Sequence, residues 1–571
     1  MRLRIALVVM LLLSAIPVLA QFGETIEVRV INVDVIVTDK SGKPIPGLTK
    51  DDFVVIENGK PRDVTNFYEY QGANAPGVAQ TALNAPATPS QALPASADIR
   101  SRKIVLFVDG STLRPFSRNR VLKATKEFLH KIVRPGDEIL IANWDHRLEV
   151  SDGFLHDVAT AETKLDQLAK ASSVGAARDA ELSEMQSMIS WTANEARDTT
   201  SPGPGGEQVI TVTKVPIDEV LSRARLYAMR KLHEQNAKVE SLRSVIGSVR
   251  GVEGRKVLVF VTESLTETPG REVFDLIDSI KYRFEGGNSY VVENEIQQYA
   301  DRLLIPTIAK EANSAGVTLY PIDAGGLSAG FDDIGADRLS VQYTAPTRRS
   351  DTIDERGVAL RSIADLTGGI ALTASNNFTL AFDNIASDLT SYYSLGYRAS
   401  GEKQDMVRSI HVKLKQRHNG YHVRTRNAFV EKSITSEMAD AVAANLFYPV
   451  TKNDLQITVT AGEKSSAEAS KILVPVEVTI PTSSLTFVPE GNEMLGGFST
   501  FTAFVRSDGV VSDVQRQRHQ LRFNAATLPN RREITLKLAV TMENNSSGVS
   551  LGVMDDVSHA TGFAAVKFPG E

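Results

Sequence analysis

The chain has 571 residues, 42% of them hydrophobic and 23% charged, values ordinary for folded protein and sufficient for about three or four domains. Cysteine is absent, which excludes disulfides and a cysteine-linked lipid, so the cores must hold the fold. The 63 Lys and Arg against 69 Asp and Glu leave a net charge of -6 with no basic run, so nucleic acid is not an expected partner.

In chain order, Arg2 and Arg4 precede an apolar run from Ile5 to Leu13, and Val18-Leu19-Ala20 supplies the small residues that a signal peptidase reads before Gln21. A signal peptide over 1–20 is expected, and with it export to the periplasm, cell surface or medium. The apolar run is too short to cross a bilayer, and no later run approaches 18 residues, so no transmembrane anchor is expected after cleavage. From Ile26 to Tyr70 the apolar residues alternate, as at Val33, Val35 and Val37, with turn signals at Asp39-Lys40-Ser41-Gly42 and Asn58-Gly59. This predicts an N-terminal β-sandwich module over 21–70. Residues 71–100 turn to Ala, Pro, Ser, Gln and Thr and read as a linker.

At Ile104-Val105-Leu106-Phe107-Val108 a continuous apolar run ends in Asp109, the pattern of a strand buried on both faces of a parallel sheet. Helical and strand patterns then alternate. A helix stops at Pro135-Gly136, a strand runs from Ile139 to Trp144, and Asp145-His146 turns the chain back. A long helix ends near Arg250, followed by strands at Val257–Val261, Val317–Ile322, Ile370–Thr373 and Tyr392–Tyr397. The fold class expected is α/β: a central doubly wound, mostly parallel sheet over 101–430, flanked by N- and C-terminal β-sandwich modules. The strand from Arg408 to Arg417 and its return through Tyr421–Arg426 are expected to close the edge of the central sheet. Segments near 171–215 and 285–298, and a third at 325–354, interrupt the alternation. The first reads either as a lid or partner-binding flap or as a tolerated surface insertion, with the second preferred, and 325–354 also reads as an insertion. From 436 to 571 short alternating runs separated by turn residues predict a C-terminal β-sandwich.

An Asp at the carboxyl end of a central parallel strand lies where open α/β sheets bind ligands, and here the loop reads Asp109-Gly110-Ser111-Thr112-Leu113. On these residues the chain resembles the von Willebrand factor A domain family, whose metal-ion-dependent adhesion site uses Asp-x-Ser-x-Ser, a Thr from a second loop and an Asp from a third. The resemblance implies Mg2+ or Mn2+ held by Asp109, Ser111 and Glu263, with Glu263, in Thr262-Glu263-Ser264, in place of the usual Asp; hard cations favour such oxygen donors. The match is incomplete: Leu113 stands at the second serine, and Phe154-Leu155-His156-Asp157 offers no threonine. The preferred alternative is that Asp109 and Ser111 cap a helix or order the loop, with no cofactor required.

Residues 22 to 430 also resemble a group of secreted bacterial proteins with a von Willebrand factor A-related domain, abundant in acidobacteria. The shared blocks are Val33-Asp34-Val35-Ile36-Val37-Thr38-Asp39, Gly47-Leu48-Thr49-Lys50-Asp51-Asp52-Phe53, Ile363-Ala364-Asp365-Leu366-Thr367-Gly368-Gly369, Tyr392-Tyr393-Ser394-Leu395-Gly396-Tyr397 and Tyr421-His422-Val423-Arg424-Thr425-Arg426. Thr367-Gly368-Gly369 ends a helix, whereas a phosphate loop begins one. No His-Glu-x-x-His occurs, and His411, His418 and His422, interleaved with Lys413, Lys415 and Arg417, read as a solvated strand face. The expected function is therefore that of an exported, non-enzymatic adhesion or scaffold protein that binds a protein partner. The other reading is an accessory subunit of an extracytoplasmic hydrolase, or a hydrolase itself, with Asp109, Glu263 and His146 forming its site.

Overall fold

The computed structural model describes residues 30–71, 101–171, 175–195, 197–202, 204, 208–326, 349–398, 403–416, 420–450, 452–468, 470–507 and 509–568. The predicted leader, nearly all of the linker and most of the 325–354 segment lie outside them, as does His418.

Four strands open the described chain: β1 (Val30–Thr38), β2 (Phe53–Glu57), β3 (Lys60–Arg62) and β4 (Val64–Gln71). Val33, Val35 and Val37 of β1, and Phe53 and Val55 of β2, point inward, the period of two that a half-buried strand requires. Asn58 and Gly59, at φ 47° and 78°, form the two-residue turn that pairs Glu57 with Lys60.

The central sheet is built from β5 (Arg102–Asp109), β6 (Glu138–Trp144), β7 (Leu148–Val150), β11 (Arg255–Thr262) and β13 (Val317–Asp323), in the order β13-β11-β5-β6-β7. All pairings are parallel except that of β7 with β6. All eight residues of β5 are buried, because helices cover both faces. On one face lie α1 (Pro115–Ile132), α2 (Val158–Lys170) and α9 (Phe378–Thr390), with Phe128, Leu129 and Phe382 against Ile104 and Leu106. On the other lie the second half of α4 (Asp218–Ser248), α7 (Leu304–Ala315) and α8 (Arg349–Thr367), with Leu242, Ile246 and Ile308 against Val105, Phe107 and Phe260. The chain winds outward from β5 to β6 and β7, then returns to β11 on the other side of β5. That reversal opens a crevice at the carboxyl ends of β5 and β11.

The first half of α4 projects beyond the sheet. A helix of 31 residues is about 46 Å long at 1.5 Å per residue, whereas eight-residue strands reach about 26 Å. Its outlying apolar residues therefore need another cover. They find it in α3 (Gly175–Asn194), α5 (Arg271–Ser279) and α6 (Ser289–Gln298), where Val220, Leu221, Ala224, Ile189, Phe274 and Ile296 share a separate core. Between α3 and α4 lie the hairpin β8 (Arg197–Pro202)–β9 (Gln208–Thr213) and the short β10 (Val215–Pro216), which pairs with β12 (Phe284–Glu285). The helices of the 171–215 and 285–298 segments thus form one packed cap. Sequence periodicity shows an apolar face and not what it will meet.

A correction concerns the sandwich. Strands β14 (Ser391–Arg398), β15 (Val407–Leu414), β16 (His422–Arg424) and β17 (Ala428–Val430) join the N-terminal strands in two sheets, β16-β1-β14-β4 and β17-β15-β2-β3. Val33, Val35, Phe53, Tyr393, Leu395 and Ile410 fill the space between them. The 391–430 strands thus complete the module assigned to 21–70 instead of closing the central sheet, so the α/β unit runs from about 101 to 390 and is inserted between the strands of one sandwich. Alternation identifies a strand as half-buried and leaves its partner open. Arg408, 2% exposed, pairs with Glu57 at 2.8 Å and Glu431 at 2.5 Å inside this sandwich. Arg255 ties β11 to β1 through Asp34 at 3.2 Å, its guanidinium lying 4.0 Å from the Tyr392 ring centre.

Helix α10 (Ile434–Asn445) leads into two antiparallel sheets. One is centred on Lys471–Pro481, the other on Glu493–Arg506, and Val474, Val478, Phe498, Leu551 and Val553 lie between them. Met438 and Val442 of α10 pack on Phe501 and Met554. Among the described residues no helix is long and apolar enough to cross a membrane.

Candidate functional site

The register of the central sheet puts Asp109 of β5 level with Trp144 of β6, and Thr262 of β11 level with Asp323 of β13. Asp109 and Thr262 therefore meet at the switch point. The loop after β5 is held tightly: Ser111 N donates to Trp144 O at 3.1 Å and Thr112 N to Asp109 O at 3.3 Å. A Cβ at Gly110 would lie 2.9 Å from Asn143 Oδ1, so glycine lets the loop pass β6.

Asp109 is fully buried, and its two carboxylate oxygens are differently engaged. Oδ1 accepts from Ser111 Oγ at 2.6 Å. Oδ2 accepts from Thr112 Oγ1 at 2.7 Å, Thr262 Oγ1 at 2.7 Å and Lys238 Nζ at 3.0 Å. Lys238, 4% exposed, reaches the site from α4 and also donates to the Ser264 carbonyl. Burial would raise the Asp109 carboxyl, but the Lys238 charge and the three hydroxyl donors outweigh it and hold the group below the ordinary aspartate value.

Glu263 follows Thr262 yet serves a different end. Its Oε1 accepts from Arg114 N at 3.2 Å, just before α1 begins, and its Oε2 lies 3.7 Å from Arg114 Nη1. A carboxylate there complements the positive end of the helix dipole. Burial pushes the Glu263 carboxyl up, with Ser117 and Arg114 partly opposing the shift. Of the three sequence candidates, Asp109 and Ser111 are joined by a hydrogen bond, while the Glu263 carboxylate is engaged at the start of α1. Leu113 is fully buried in the core beside α1.

Sequence reasoning missed Thr112, Thr262 and Lys238. The two threonines were adjacent to candidate residues and carried the signal of a hydroxyl at a strand end. Lys238 lies 129 residues from Asp109 and nothing local marked it. Phe154–Asp157 supplies no ligand; Asp157 caps α2 by accepting from Thr160 N at 2.7 Å. His411 and His422 lie on exposed strand positions.

Above Asp109 lies a polar cleft of about 200 Å³, with Ser111, Thr112, Lys238, Ser264 and His146 on its walls. His146 occupies the β6–β7 turn at φ 55°. Arg178 and Glu181 of α3 and Tyr227, Lys231 and Glu234 of α4 form the cap side. Lys231 is neutralised within the cleft, its Nζ donating to Glu181 at 2.9 Å and Glu234 at 3.0 Å, and Tyr227 donates to Glu272 at 2.8 Å. Burial and the Glu272 carboxylate raise the Tyr227 hydroxyl well above its usual range. The cap is seated closely, since a Cβ on Gly175 at the start of α3 would lie 2.6 Å from the Leu113 carbonyl oxygen.

The divalent cation implied by the family resemblance does not fit this donor set. A hard cation needs free oxygen lone pairs from several ligands, whereas Oδ2 of Asp109 already takes two hydroxyl protons and an ammonium. Among the described residues no group of three or more His, Cys, Asp and Glu side chains is placed to hold a metal.

No protein-family model matches the chain, and no curated protein matches it. Among solved structures, an aerotolerance-related membrane protein from Bacteroides fragilis NCTC 9343, with multiple mutations to serines, aligns at 12% sequence identity. The alignment covers 51% of this chain and 98% of that one, with a TM-score of 0.21, too low to carry any argument.

Proposed function

We propose that this is an exported bacterial protein-binding protein, an adhesion or scaffold component, built on a von Willebrand factor A-like sheet with a degenerate metal-ion-dependent adhesion site and without catalytic activity. The observation that carries the reading is the position of Asp109 at the switch point, ringed by the hydroxyls of Ser111, Thr112 and Thr262. This ring of hydroxyls around a strand-end aspartate supports the reading of a degenerate site whose carboxylate is committed to internal partners. The cap offers contact surface of the kind that proteins use: Trp191 is 67% exposed and Tyr290 77%, with Leu226 and Met229 exposed three residues apart on α4.

A second reading, a hydrolase or its accessory subunit, is favoured by the cleft, which is polar, partly roofed and has His146 on its wall. Against it, the Asp109 carboxylate is engaged by four donors and Lys231 is paired with Glu181 and Glu234.

Affinity capture from the native cell envelope tests the choice. The protein-binding reading expects a partner retained by the wild-type chain and lost with Trp191→Ala/Tyr290→Ala, while the circular dichroism spectrum is unchanged. Turnover of an ester, peptide or glycoside substrate that disappears with Asp109→Asn in a folded protein would support the hydrolase instead.

A further inference from the structure

We infer that Lys238 is a built-in cation, its ammonium taking the place of the divalent ion at the Asp109 site, so that the site is assembled and held without metal. The inference goes beyond the proposed protein-binding role and stands on the geometry of the site itself. A buried carboxylate must be neutralised by a proton, a metal or an organic cation. Here the counter-charge is covalently part of the chain, 3.0 Å from Oδ2, on a side chain 5% exposed. The same ammonium donates to the Ser264 carbonyl and so joins the ends of β5 and β11 to α4. The hydroxyls point the same way. Ser111, Thr112 and Thr262 all donate protons to Asp109, so both carboxylate oxygens are satisfied from within the chain together with Lys238.

The position of Lys238 also explains the cap. Residues of α4 just before it, Lys231, Glu234 and Gln235, line the cleft, and Gln235 clasps Thr266 by donating to its carbonyl at 2.8 Å and accepting from its N at 3.2 Å. One helix thus supplies the counter-charge and roofs the cleft above Asp109. A partner bound elsewhere on the molecule should be indifferent to chelator.

The test uses the full chain and Mn2+ as the probe, read by electron paramagnetic resonance of the free ion and by melting temperature. The wild type is expected to leave the Mn2+ signal undiminished at millimolar metal and to melt within roughly 1 °C of its value in chelator. Lys238→Met removes the charge at similar volume; it should gain at least ten-fold in Mn2+ affinity and lose that gain when Asp109→Asn is added. Wild-type Mn2+ binding that Asp109→Asn abolishes would overturn the inference, as would a folded Lys238→Met variant that binds no more Mn2+ than the wild type. Should Lys238→Met fail to fold, the wild type and Asp109→Asn decide between these outcomes. Loss of partner capture with unchanged Mn2+ results would count against the binding role and leave this inference standing.

Discussion

Nζ of Lys238 lies 3.0 Å from Oδ2 of Asp109, with the two side chains 5% and 0% exposed. Removing either partner leaves an uncompensated charge in the interior, which costs about 3–5 kcal/mol. Lys238→Met and Asp109→Ala should each lower stability by that order in urea unfolding. The loss should appear as a lower midpoint at unchanged slope, since the surface exposed on unfolding is the same.

The pair also sets a pH dependence. The folded-state Asp109 carboxyl lies below its ordinary value of 3.8, so the unfolded chain binds more protons as pH falls through that range. The stabilisation is full above about pH 4 and is lost as pH drops towards the folded value. Urea midpoints of the wild type and Asp109→Asn, compared between pH 6 and 3, should converge on the acid side; a gap independent of pH would contradict the assignment.

The seat of the cap is a local test. Gly175→Ala sets a Cβ against the Leu113 carbonyl at 2.6 Å, so the start of α3 must shift. A cost of about 1–3 kcal/mol is expected. It should be read as faster amide exchange over α3, with exchange in β5 and β11 unchanged.

The interleaved sandwich predicts an outcome that a separate N-terminal module would not give. If the chain is cut at a protease site engineered between residues 80 and 90, the 30–71 fragment should remain bound, because β1 and β2 pair with β14, β16 and β15. Release of the fragment under native conditions would refute the pairing. Arg408→Met should loosen it, since Glu57 and Glu431 then lack their buried partner, at about 3–5 kcal/mol.

Local sequence carried much of this architecture. The run Ile104–Val108 marked a doubly buried strand, and the strand end marked Asp109, because both features follow from the sheet's own geometry. Asn58-Gly59 marked its turn through the positive φ it needs. What stayed hidden depends on partners distant in the chain. The pattern of Val407–Leu414 shows one face buried and is silent on whether Phe53–Glu57 or the central sheet covers it. Glu263 looked like a ligand because it follows β11, yet its charge faces the start of α1. Lys238 sits in a mixed polar and apolar helix, and only the path of α4 across the switch point turns it towards Asp109.

The claim that Lys238 and Asp109 form one electrostatic unit is tested most directly by a double-mutant cycle on unfolding free energy with Asp109→Asn and Lys238→Met. The account predicts that the double variant is more stable than the sum of the single losses allows, with a coupling of about 2–3 kcal/mol. Additive losses, agreeing within about 0.5 kcal/mol, would contradict it.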